Sequence, residues 1–152
     1  SIGIHSNVPP TAGLTDGHAW VTYTDSAGNV TSYGLWPDNH PRTVDNGPGS
    51  DVRTGMEPHT APYSRYWELT PQQINDFNKF INKGDEWGYG HTCADWASDG
   101  VRDTLGINID ADDWLGVETP RELSESIQAL ESQARTSPAV PLPPNPTPST
   151  WF

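Results

Sequence analysis

Cysteine is almost absent: Cys93 is the only one in 152 residues. A lone cysteine excludes an intramolecular disulfide and any multi-cysteine zinc cluster. Basic residues are also scarce. Eight Lys and Arg stand against 20 Asp and Glu, a formal charge of −12 with neutral histidines. A surface that acidic repels phosphate backbones and anionic headgroups, which argues against nucleic-acid partners and a membrane-surface role. No apolar run approaches the length of a bilayer-spanning helix, so no transmembrane segment is expected. Apolar residues reach only 33%, low for a globular domain. Aromatics, by contrast, are plentiful: seven Trp, five Tyr and three Phe, which disordered chains lack. The expectation is one domain over residues 1–135, with a small aromatic core tied together by loops. No basic stretch followed by an apolar one marks a signal peptide, and the chain reads as a domain excised from a longer protein.

Residues 1–16, with Pro9, Pro10 and Gly13, read as an extended lead-in. His18-Ala-Trp-Val-Thr-Tyr-Thr24 is rich in aromatic and β-branched residues and predicts a strand. Asp25-Ser-Ala-Gly-Asn29 predicts a turn with Gly28 at positive φ, and Val30–Trp36 the returning strand. Five prolines and three glycines make residues 37–66 loop-like, with one short strand near Tyr63–Glu68. A loop that long is expected to be functional. Thr70, Pro71 and Gln73 announce a capped helix with Ile74, Phe77 and Ile81 on its apolar face and Gly84 as its stop. Thr92 caps a second helix, with Cys93, Ala97, Val101 and Leu105 on one stripe. Gly100 inside it predicts close packing at that point. Thr119-Pro-Arg-Glu122 opens a third, lined by Leu123, Ile127 and Leu130. Six prolines in 138–148 make residues 136–152 an extended Pro-rich tail or linker.

Cys93 falls in the first turn of its helix, where unpaired N–H groups and the helix dipole favour a thiolate. The same stripe also suits a buried structural cysteine, so position alone leaves both roles open. His18 opens a strand, and a strand-borne imidazole facing a helix-borne thiol makes a reactive pair. Trp87 and Tyr89, just before the cysteine helix, are candidates for lining a substrate cleft. His91 joins them as a residue that lines the cleft or hydrogen-bonds substrate. The histidines His40, His59 and His91 supply no helical i, i+4 pair, and His91-Thr-Cys93 has an unusual ligand spacing. No metal site and no cofactor are expected.

Gly17-His-Ala-Trp-Val-Thr-Tyr, a hairpin, a capped helix and then His91-Thr-Cys-Ala-Asp-Trp-Ala together resemble the circularly permuted papain-like hydrolases. These are relatives of the NlpC-type cell-wall peptidases and of the lecithin–retinol acyltransferase group. In the permuted order the histidine strand precedes the cysteine helix, as it does here. The resemblance covers roughly residues 15–130. It implies an α+β papain-like fold, a small antiparallel β-sheet packed against a helix carrying the cysteine at its N-terminus. It implies Cys93 as nucleophile and His18 as general base. A third polar residue belongs on the strand after the histidine, and that place falls near Gly34, which has no side chain to offer. Asp38 is the substitute, with Ser32, Tyr33 and His40 as alternatives. The implied activity is a cysteine peptidase or amidase acting on peptidoglycan peptides. Small acidic domains of this type also resemble antibacterial effectors of contact-dependent or type VI secretion. Such a toxin has a secretion carrier and an immunity protein as partners, and is delivered into the periplasm of a target bacterium. The alternatives are a thioesterase, lipase or acyltransferase, and an inactive binding module of the same fold.

Overall fold

The computed structural model describes residues 1–7, 17–36, 50–85, 92–107, 109 and 119–143. They form an α+β arrangement: a five-stranded antiparallel sheet with three helices. The strands are β1 (Ile2–Ser6), β2 (Ala19–Thr24), β3 (Val30–Leu35), β4 (Val52–Thr54) and β5 (Tyr63–Trp67). The helices are α1 (Pro71–Lys83), α2 (Cys93–Leu105) and α3 (Pro120–Gln133). The spatial strand order is β4-β3-β2-β1-β5.

β2 and β3 are the expected hairpin, with Val21 opposite Tyr33 and Thr24 opposite Val30. Gly28 sits at φ 89°, and the Asp25 carboxylate accepts from the Ala27 and Asn29 N–H groups at 2.9 Å each. The opening residues differ from expectation. Instead of a lead-in, Ile2–Ser6 is a sheet strand flanked by β2 and β5. Ile2 and Ile4 alternate into the core, which is a strand's period. Gly3 obscures that signal, and it is needed. A Cβ there would lie 2.7 Å from Thr22 Oγ1 and 2.8 Å from a Tyr66 ring carbon.

The helix-facing side of the sheet carries Ile2, Ile4, Val21 and Leu35, packed with Phe77, Phe80, Trp96 and Val101. The N-caps Thr70 and Thr92 each complete a capping box, with Gln73 and Asp95. In α1 the buried residues are Gln73, Phe77 and Phe80, while Ile74 and Ile81 are half-buried. The helix is rotated toward α2, so that Phe80 tilts against Trp96 at 5.0 Å and closes on Gly100. A Cβ on Gly100 would meet the Phe80 ring at 2.9 Å, the close packing expected there. The end of α3 is tied to β5 by Arg65, which pairs with Glu131 and donates to the Ala134 carbonyl at 2.8 Å. Beyond it, Thr136 Oγ1 accepts from the Tyr66 N–H at 3.0 Å, and Leu142 forms a parallel bridge with Trp67. The first part of the Pro-rich stretch therefore lies along β5.

The opposite side of the sheet is crossed by the chain itself. β4 and β5 are the two edges, so residues 55–62 must traverse four strand spacings, about 19 Å. Eight extended residues reach roughly 26 Å, enough with little slack. The crossing segment is fastened as it goes: Ser32 Oγ accepts from the Glu57 N–H at 3.3 Å. The Trp20 indole donates to the Pro58 carbonyl at 3.0 Å. Ser64 Oγ donates to the Ala61 carbonyl at 3.0 Å.

Beneath this strap His5 is fully buried between hydroxyls, 2.7 Å from Ser64 Oγ and 2.8 Å from Thr22 Oγ1. Burial, with a smaller contribution from the charge of His59, pushes its pKa down to about 3. The unfolded chain binds a proton at this residue near pH 6.5 and the folded chain does not. Stability therefore falls as pH drops below 6.5, by up to about 1.4 kcal/mol per pH unit. Urea unfolding between pH 6.5 and 5 should show this slope in the parent and lose it in His5→Gln.

Candidate active site

His18 stands at the entrance of β2, and its backbone is held from both sides. Its N–H donates to Asn7 Oδ1 at 2.8 Å, and its carbonyl accepts from the Asn7 N–H at 3.2 Å. Gly17, at φ 84°, supplies the turn into the strand. The imidazole lies between two indoles: Trp20 stacks on it at 5.7 Å, and Trp36 meets it at 4.1 Å with a 38° tilt. Trp20 lies in β2 and Trp36 directly follows β3, and both are buried.

Two polar groups engage the ring. One is Cys93, the first residue of α2, whose side chain lies close enough to His18 to act on the charge of its ring. Thr92 caps that helix, its side chain accepting from the Asp95 N–H. The Cys93 and Ala94 N–H groups have no partners within the helix, as at any helix start. The thiol is 8% exposed and touches the core cluster, so the apolar stripe and the histidine contact hold together. The other group is Glu57, from the crossing strap. Its Oε1 lies 3.2 Å from His18 Nε2 and accepts from the Trp36 indole N–H at 2.8 Å.

Burial alone would make His18 a weaker base. The hydrogen bonds to Cys93 and Glu57 and the charges of the same two groups outweigh it, and the pKa rises to about 9. The ring is therefore favoured in its protonated form at neutral pH, with Nε2 directed at the Glu57 carboxylate.

Of the residues expected to form a site, the structure brings Cys93 and His18 together. Asp38, Trp87, Tyr89, His91 and His40 lie outside the described residues. Ser32 holds the strap instead of the imidazole, and Tyr33 faces the helices, edge-on to Phe77. His59 is exposed on the strap. The carboxylate at His18 is that of Glu57, which sequence reasoning missed. Its one local signal lies elsewhere, at Gly34, where a bare backbone leaves a gap for a side chain from another part of the chain. Among the described residues no three His, Cys, Asp or Glu side chains are grouped as a metal ion requires. No helix among them is long and apolar enough to cross a membrane.

No family model, no curated protein and no solved structure matches this chain.

The raised pKa of His18 has a consequence for stability. Its folded value of about 9 stands above the unfolded 6.5, so its stabilising contribution is complete below pH 6.5. It is lost as pH rises through 9, at up to about 1.4 kcal/mol per pH unit. Unfolding free energies measured from pH 6.5 to 9.5 should decline in the parent, and His18→Gln should remove that decline.

Proposed function

We propose that this protein is a cysteine hydrolase that cleaves amide bonds through a thioacyl-enzyme. The observation that carries this reading is the nearness of Cys93, first residue of α2, to His18, with the imidazole favoured in its charged form. A cysteine beside a histidine at a helix N-terminus is the arrangement from which a thiol can be activated as a nucleophile.

Each step uses groups already in place. The Cys93 sulfur attacks the carbonyl carbon, and the oxygen takes up the negative charge. The Cys93 backbone N–H is positioned to stabilise that oxyanion. The C–N bond breaks, and His18 gives its proton to the departing amine. A thioester remains. Water then attacks it, His18 accepts the water's proton, and the C–S bond breaks to release the acid. Cys93 and His18 return to their starting states.

The substrate class rests on the resemblance described above, which points to peptides of peptidoglycan. The same resemblance supports an antibacterial effector, carried by a secretion machine into the periplasm of a target cell and neutralised by an immunity protein in the producer. The acidic surface suits a basic inhibitor.

Digestion of purified peptidoglycan, read by mass spectrometry of the released fragments, tests this. The parent should release peptide fragments, Cys93→Ala none, and His18→Ala about a thousandfold less. Activity should fall on the alkaline side near pH 9, where His18 loses the proton that the leaving amine requires. A stable long-chain thioacyl adduct with lipid esters, and no peptide release, would replace the amidase by an acyltransferase. Cys93 alkylation that is indifferent to His18 would overturn both.

A further inference from the structure

We propose that Glu57 is the positioning residue of this site: carried across the sheet by the strap, it orients the His18 ring and balances its charge through a gap that Gly34 leaves open. This deepens the hydrolase reading and rests on it.

Three independent features converge on Glu57. The first is reach. Its Oε1 is 3.2 Å from His18 Nε2, while its side chain is only 1% exposed. Water does not screen a pair so enclosed, and a carboxylate there favours the imidazolium. The second is anchorage. The Trp36 indole holds Oε1, Ser32 Oγ holds the Glu57 N–H, and Trp20 holds the following carbonyl. Both donors meet the same oxygen, and Oε2 is buried with no hydrogen-bond partner among the described residues. The third is exclusion. A Cβ built on Gly34 would lie 2.0 Å from Glu57 Oε1 and 2.9 Å from His18 Nε2. Any side chain at 34 and the Glu57 carboxylate compete for one space. Among the described residues, the titratable groups that face His18 are Cys93 from α2 and Glu57 from the strap.

Two readouts test the assignment: NMR titration of the His18 ring, and the pH dependence of Cys93 alkylation by iodoacetamide. Parent, Glu57→Gln, Gly34→Ala and His18→Ala are compared. Gln keeps the volume of Glu57 and can still accept from Trp36, so a merely structural role would leave both profiles unmoved. The expected result is a His18 pKa shifted down in Glu57→Gln and alkylation at pH 6 slowed about tenfold or more. Gly34→Ala should reproduce both changes, since its methyl displaces the carboxylate. Its stability cost should also shrink in a Glu57→Ala background, where the clash is relieved. Glu57→Gln profiles that superimpose on the parent's, with His18→Ala still abolishing low-pH reactivity, would overturn the role of Glu57 and leave the Cys–His pair intact. A parent whose alkylation is unaffected by His18→Ala would overturn the underlying hydrolase reading itself.

Discussion

The connection between the two edge strands governs much of this molecule. Because β4 and β5 lie at opposite edges, the chain between them has to run across the whole sheet on the side away from the helices. That single constraint explains several otherwise unrelated features. It gives the second face of the sheet a cover, so Trp20, Thr22, Ser32 and His5 are buried without a further layer of helix. It demands polar anchors on the sheet, supplied by the Ser32 hydroxyl and the Trp20 indole. It also brings an acidic side chain to a histidine 39 residues away in sequence.

Two histidines lie in one row of rings on that face and carry opposite charge states. His5 stacks on Trp20 at 5.4 Å, and Trp20 stacks on His18 at 5.7 Å. Both are buried, so desolvation pushes both toward neutrality. Their partners decide between them. Hydroxyls at both ring nitrogens satisfy a neutral His5 and bring no opposite charge to offset the burial of a cation. A carboxylate and a sulfur at His18 reverse the balance. The same side chain, under the same roof, is thus kept neutral at one position and favoured as a cation at the other.

What was legible in the sequence was local. The hairpin around Gly28 and the helices capped by Thr70 and Thr92 are written in residues a few positions apart. So was close packing at Gly100, though not that Phe80 supplies it, and so was the pair His18 and Cys93, through the order of a strand and a capped helix. What escaped depends on partners distant in the chain. β1 is a strand because β2 and β5 flank it, and Gly3, which those neighbours require, weakens its own propensity for strand. β4 is three residues long and owes its existence to β3. Glu57 sits in a stretch of turn residues with no periodicity to mark it. A missing side chain at 34 looked like a defect of the site, whereas in the folded protein it is a socket.

The docking of residues 136–142 along β5 has a bearing on how copies of this protein meet. Along the outer edge of β5, the Tyr66 N–H is taken by Thr136, the Tyr66 carbonyl by the Leu142 N–H, and the Glu68 N–H by the Leu142 carbonyl. A strand from another molecule cannot pair at these positions until the protein's own chain has been peeled away. The prolines around this stretch limit its own value as a template, since each lacks the N–H that a growing sheet would use. A sequence feature that looks like a mere spacer thus acts as a selvedge, the finished border that keeps a woven edge from being extended.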